Sequence, residues 1–416
     1  MMKMPGKQRC VFLTLWNSKP KVLLYMDISR KLSFYKREMG RQKEHSSLSP
    51  ALIALRDHYS ARLLFDDHPV LLREKSEPAA DINSQIDLTI VSRGEFDRPV
   101  ALERCLFFDL ETSGLMGGSG VYAFLIGFAW WAEGRIHIRQ YFLPDFGREP
   151  LLFLKLDPWF KSFDYLVSFN GKSFDLPVLN SRFLMNRLDL HLKKLKHIDL
   201  IHPVRRVWKD SLPSCDLQSL ELHLLERRRD NDIPGAFIPQ VYFDFLQTGR
   251  IQDIIRVIDH NDTDLVSLIF ILDKLNRIFD DSRALTLDIA ARARVARIIA
   301  GQKPVPLQAF KILESSGQEP ESAEYLYWKS MALKRAGKAE QAHTLWQKLQ
   351  RYPVFTFRVM EESAKYLEHN LRKNGEALKI VEQALHLMEI QREFGYRPEK
   401  IYADFLRRKK RLLQKS

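Results

Sequence analysis

The stretch CLFFDLETSGLMGGSG, residues 105–120, constrains the chain more than any other. Its apolar start reads as a buried strand, yet that strand ends on two carboxylates, Asp109 and Glu111, one residue apart. Side chains alternate along a strand, so the two emerge on one face, roughly 6–7 Å apart. Like charges held that close beside an apolar core repel each other and lose hydration. Something else must neutralise them.

The surrounding segments predict a mixed α/β sheet. ERCLFFDLE is a strand, GLMGGSG a glycine-rich turn, and VYAFLIGFAWW and GRIHIRQYFL a hairpin joined through AEG. EPLLFLKLDPWFKSF reads as helical and DYLVSF as a buried strand. FDLPVLNSRFLMNRL is a helix with Pro177 in its first turn, where the missing N–H costs little. KHIDL is a short strand, and beyond it the chain turns largely helical. Strands in hairpin order, then alternation with helices, give a sheet covered by helices.

Upstream, residues 1–95 show no clear period and are read as an N-terminal extension. Within it SPALIALRDHYSARLLFD suggests a helix, and HPVLLRE and IDLTIVSRG short strands. Residues 96–282 form the sheet domain, and residues 283–416 an all-α region. There EYLYWKSMALKRAGKAEQAHTLWQKLQRYP and SAKYLEHNLRKNGEALKIVEQALHL overlay, with Ala342, Trp346 and Leu349 on Ala377, Val381 and Ala384. The pattern resembles tetratricopeptide (TPR) helix pairs, with a generic helical hairpin domain as the alternative.

The formal net charge of +13 attracts polyanions, of which nucleic acid is the commonest. The runs LERRR (225–229) and LRRKKR (406–411) read as solvated helix faces or frayed ends and add little to that argument. A content of 45% hydrophobic and 28% charged residues is that of a soluble globular chain, and no apolar run approaches the length of a membrane span. The N-terminus lacks the pattern of a signal peptide. Cys10, Cys105 and Cys215 are too scattered for a disulfide framework or a cysteine-ligated zinc site. A cytoplasmic setting is expected.

Two further acidic positions stand in informative surroundings. In SFNGKSFDLPVL, Asp175 opens a helix straight after a strand and an Asn-Gly turn. In IDHNDTDLVSLIFIL, His260 and Asp264 share one helix face, whereas Asp262 points away and reads as solvated or capping. Alone, Asp175 would be an ordinary N-cap and His260 an ordinary histidine. Together, four acids on separate elements suit two hard divalent cations, Mg²⁺ or Mn²⁺, which take oxygen ligands and clamp a phosphodiester for attack by water.

The ordered set FFDLETSGL, GSGVYAFLIGFAWW, SFNGKSFDLPVL, HIDLIHPVRRVWKDSLPSCDLQSLE, DIPG and HNDTDLVSL resembles the DEDD exonucleases of the ribonuclease H-like superfamily, and within it the bacterial YprB-like branch. The resemblance covers about residues 100–275, and a helical-repeat-like region after the nuclease-like core is similar too. It implies a ribonuclease H-like mixed sheet flanked by helices. It implies Asp109, Glu111, Asp175 and Asp264 as catalytic metal ligands, and His260 as the residue handling the water. Histidine-type members place that His five before the last Asp and tyrosine-type members place Tyr four before; His260 has the identity of the first and the spacing of the second. Asn170 and Asn261 are expected to contact substrate. The function implied is a two-metal-ion 3′→5′ exonuclease on single-stranded DNA or RNA. The alternatives are a structure-specific endonuclease of the same fold and a binding scaffold that has lost catalysis. A protein partner is expected on the C-terminal helices, and no membrane.

Overall fold

The computed structural model describes residues 48–415, apart from 67–68, 93–95, 97, 115–120, 146–148, 281–286, 316–321, 354 and 396–398. The first 47 residues of the expected extension and residues 115–120 of the expected glycine-rich turn lie outside the described residues.

In chain order, α1 (Pro50–Tyr59) precedes β1 (Arg62–Leu64) and β2 (Val70–Pro78), and a short β3 (Gln85–Ile86) pairs separately with β4 (Val100–Ala101). β5 (Cys105–Thr112), β6 (Ala123–Ala132) and β7 (Arg135–Phe142) follow. α2 (Glu149–Phe160) leads to β8 (Tyr165–Ser168), and α3 (Asp175–Met185) to β9 (Lys196–Asp199). Then come α4 (Ile201–Trp208), α5 (Leu217–Leu224), α6 (Ile238–Thr248) and the 26-residue α7 (Gln252–Arg277). Among the described residues one seven-stranded sheet runs β1-β2-β7-β6-β5-β8-β9. Its pairing is antiparallel from β1 to β5 and parallel from β5 through β8 to β9. The mixed sheet flanked by helices is thus present. The β6–β7 hairpin turns on Glu133 and Gly134, both at positive φ, as a two-residue type I′ turn requires.

The N-terminal segment departs from its reading as an extension. β2 pairs with β7 from Leu71 to Pro78, so this segment adds two strands to the sheet. The short strand expected in HPVLLRE is β2, and it runs on to Pro78; only its first three residues are buried, and its charged outer half, beyond the pairing with β1, shows no alternation. The expected helix stops at Tyr59 because Ser60 turns left-handed (φ 50°) and the N–H groups of Ser60 and Ala61 close onto Asp57 and Arg56. IDLTIVSRG is a strand only at its start. Asp87 Oδ1 accepts from the Thr89 backbone and hydroxyl, and Ser92 N–H bonds to Leu88 O, which turns the chain off the sheet.

Each face of the sheet has its own core. Leu106, Phe108 and Leu110 of β5 join Phe128 and the apolar sides of α2, α3 and α6. Cys105 and Phe107 join Val167, Ile198 and, from α7, Leu265, Leu268 and Leu272. By alternation Asp109 and Glu111 point to the α7 side.

α7 closes onto the sheet where β6 has no side chain. Gly127 pairs with Asp109, and a Cβ there would sit 2.2 Å from Asn261 Oδ1 and 2.7 Å from Leu265 Cδ1. Both atoms belong to packed side chains, Asn261 and Leu265 being fully buried.

The remaining described helices are α8 (Ile289–Gly301), α9 (Gln308–Ser315), α10 (Ala323–Arg335), α11 (Ala339–Leu349), α12 (Thr356–His369), α13 (Asn374–Glu393) and α14 (Glu399–Leu413). α8 packs on α4 and on α10; α10 then packs on α11, and α12 on α13. Ala342, Trp346, Leu349, Ala377, Val381 and Ala384 are all buried, and Trp346 Nε1 donates to Ser330 Oγ at 2.9 Å. The LRRKKR run is not simply solvated: Arg408 and Arg411 donate to the buried Glu368 at 2.6–2.8 Å. No described helix is long and apolar enough to cross a membrane.

Gly127→Ala is expected to destabilise the protein by about 1–3 kcal/mol, the usual range for overpacking a close contact. Urea unfolding checks it, and an unchanged midpoint would show that α7 does not rest on β6 this closely.

Candidate active site

β5 delivers Asp109 and Glu111 side by side beneath α7, and a register shift after Glu111 ends regular pairing with β6 there. Glu111 is 9% exposed. Asn261, also from α7, donates from Nδ2 to Asp109 Oδ2 at 2.8 Å. Its own orientation is fixed by Gln140 of β7, whose Nε2 donates to Asn261 Oδ1 at 2.8 Å and to the Ile258 carbonyl at 2.7 Å. Asn261 therefore lies inside the protein as a support for Asp109.

The β8–α3 loop brings in Asp175. Asn170 takes a left-handed conformation (φ 63°), and its N–H and that of Lys172 donate to Asp199 at 2.6 and 3.0 Å. Gly171 is wedged against β8; a Cβ on it would meet Ser168 Oγ at 2.3 Å and Asp175 Oδ2 at 3.1 Å. The loop therefore turns tightly and starts α3 with Asp175 beside the other acids. Asp199 was passed over in the sequence. Its signal was its place at the carboxyl end of a parallel strand, where α/β sheets gather functional groups.

α7 supplies His260 and Asp264, and both meet a residue that the sequence reading had assigned to solvent. Arg229, from the LERRR run, donates to Asp264 Oδ1, to Glu221 at 2.5 and 2.6 Å, and approaches Asp232 Oδ2 at 3.3 Å. His260 Nδ1 lies 2.6 Å from Asp232 Oδ1, and its Nε2 lies 3.6 Å from Asp264 Oδ2. A carboxylate only accepts, so in the contact with Asp232 it is Nδ1–H that donates, and Arg229 Nη1, also a donor, lies 3.2 Å from the same nitrogen. The sequence hint for this cluster was the acidic DNDIPG that follows the arginines. Asp262 also differs from expectation: it is 8% exposed and pairs with Lys75 at 2.8 Å and Arg73 at 3.5 Å, tying α7 to β2.

Burial pushes the Asp109 carboxyl well above its ordinary range, and the charges of Asp264 and Asp175 push it further. Glu111 is raised by burial and then by Asp109, Asp264 and Asp175. Asp175 is pushed up to about 7 by burial, Asp199 and Asp264. Asp264 is raised chiefly by burial, against the lowering effect of His260 and Arg229. Burial acts on Asp232 as well, but bonding to His260 and the charges of His260 and Arg229 hold it below the usual range. The four acids named from sequence thus feel one another's charge. A cavity of about 270 Å³ opens beside them, lined by Glu111, Asp175 and Phe174 among others. Their donor set is all oxygen and suits a hard divalent cation. As placed, no three His, Cys, Asp or Glu side chains among the described residues are gathered to hold one ion, and Arg229 occupies Asp264.

Residues 106–276 match the family model of the RNase H superfamily. This stretch has an RNase H-like fold, the mixed sheet flanked by helices described above. The uncharacterized protein YprB of Bacillus subtilis (strain 168) is 29% identical to the chain over 368 residues, covering 84% of this chain and 88% of YprB. Among solved structures, the family B DNA polymerase from the hyperthermophilic archaeon Pyrobaculum calidifontis matches 58% of this chain at 15% identity, with a TM-score of 0.35. The match spans 30% of that polymerase, and a likeness this low bears on nothing further.

In the RNase H-like domain, the raised Asp175 pKa has a consequence for stability. Between about pH 4 and 7 the folded chain keeps a proton on Asp175 that the unfolded chain has released. Stability in EDTA should therefore fall as pH rises through that window. Asp175→Asn should flatten the fall and raise the melting temperature at about pH 8. Thermal unfolding across this range tests it; a variant less stable than wild type at the upper end contradicts the crowding described here.

Proposed function

We propose that the protein is a divalent-metal-dependent nuclease that removes nucleotides from the 3′ end of single-stranded DNA or RNA. The observation that carries this reading is the crowding of Asp109, Glu111, Asp175 and Asp264 within an RNase H-like domain, where the charge of Asp264 raises the pKa of each of the other three. A scaffold for binding polyanions gains nothing from such a cluster, since buried negative charge repels phosphate.

Bound Mg²⁺ or Mn²⁺ would supply the positive charge that lets these acids and a phosphodiester share one pocket. The chain's own residues do the rest. Asn261 orients Asp109, and the Asp199-anchored loop aims Asp175. His260 accepts the proton of the attacking water at Nε2, while Asp232 holds Nδ1–H and stabilises the imidazolium that forms. Arg229, held by Glu221, would yield its contact with Asp264 were a cation bound there. The setting is cytoplasmic, consistent with the free thiols of Cys105 and Cys215.

End-labelled single- and double-stranded DNA and RNA, incubated with Mg²⁺, Mn²⁺ or EDTA, provide the test. A metal-dependent ladder descending from the 3′ end is expected, and discrete internal cuts would instead indicate an endonuclease. Asp109→Asn and Asp175→Asn should each abolish cleavage with the fold retained. His260→Ala should slow turnover about 10²–10⁴-fold, the usual contribution of a general base. Near wild-type turnover in either carboxylate variant contradicts the proposal.

A further inference from the structure

Away from the acidic cluster, between α4, α8 and α10, lies a cavity of about 470 Å³ lined by Arg206, Arg294, Arg297 and Arg335, with Gln302 and Trp328 among its other walls. Four guanidiniums line it and no carboxylate does. Arg294 pairs with Asp210 outside the lining and donates to the carbonyls of Arg205 and Arg206 at 3.0 and 2.9 Å. Arg206 and Arg335 donate to backbone carbonyls, of Val91 and Ala300 respectively. Arg297 makes no ion pair with a described residue and lies 5.2 Å over the Trp328 ring. Gathering like charges in this way costs folding energy, and an anionic occupant would offset the cost. The cavity is joined to the sheet domain through α4, which starts just after Asp199 and carries Arg206.

We propose that this cavity is a second subsite for single-stranded nucleic acid, with a backbone phosphate held by the arginines and a base stacked against Trp328. The proposal rests on the nuclease reading for the identity of the strand, and it gives the C-terminal helices, which contribute Arg294, Arg297, Arg335 and Trp328, a part in substrate binding. An arginine supplies charge that salt screens, whereas an indole supplies a stacking surface that salt hardly affects.

Those two signatures can be separated. The full-length protein in EDTA is titrated with a fluorescein-labelled single strand of about 12 nucleotides at several salt concentrations, with anisotropy as the readout. Arg297 is exposed, so Arg297→Gln spares the fold. It should weaken binding several-fold and reduce the slope of log K against log salt by about 0.7, one phosphate contact. Trp328→Leu should weaken binding about tenfold with the slope unchanged, and circular dichroism confirms that the variant is folded. If both folded variants bind like wild type with the same slope, the cavity is not a subsite, although the nuclease reading stands. If wild type binds no single strand at all, both fail together. Inorganic phosphate, titrated as a competitor, distinguishes the remaining source: displacement of the strand at micromolar phosphate, lost in Arg297→Gln, would mark a small-anion site and overturn the strand proposal.

Discussion

The structure depends on how α7 covers β5. A 26-residue helix laid across a buried strand would ordinarily meet apolar side chains along its whole length, and over Leu265, Leu268 and Leu272 it does. At its other end it meets Asp109 and Glu111 and contributes Asp264 of its own. Glu111 is buried and Asp109, Asp175 and Asp264 are half-buried, so the charges are poorly hydrated, and burial is the largest cause of the raised pKa at each of the four acids. Close approach is made possible by Gly127, and registration is fixed by the Gln140–Asn261–Asp109 chain of hydrogen bonds. The fold therefore holds an electrostatic penalty at one place and makes that place rigid.

Positive charge is distributed to match. The net charge of +13 is not an even coat. Arg229 is turned inward to the acids, Arg408 and Arg411 clamp Glu368 within the C-terminal helices, and Lys75 with Arg73 anchors Asp262. Among the described residues, four arginines also gather in the cavity between α4, α8 and α10. Residues 1–47 carry 11 Lys and Arg against 3 Asp and Glu, so +8 of the +13 falls outside the described residues.

Much of this was legible in the chain itself. The period-two pattern of CLFFDLE, the Asn-Gly turn before Asp175 and the helical spacing of His260 and Asp264 each report local geometry, and local geometry is what a sequence encodes most directly. The mixed sheet followed from the same signals. What was not legible depends on distant partners. Arg229 looks like any arginine in a basic run until Glu221 and Asp264, brought together by the fold, surround it. HPVLLRE reads as a short strand, but its place in the main sheet beside β7 does not show, and Asp262 reads as solvated until β2 is placed beside it. Asn261 reads as a polar residue facing substrate until Gly127 removes the space above it.

The central claim is that Asp109, Glu111, Asp175 and Asp264 are crowded because divalent cations belong between them. Crystals soaked in Mn²⁺ and measured for its anomalous scattering test this most directly. The account predicts anomalous peaks bounded by these four carboxylates, with Arg229 withdrawn from Asp264 and still bound to Glu221. Crystals saturated with Mn²⁺ that show no peak there, and Arg229 still seated on Asp264, would contradict it.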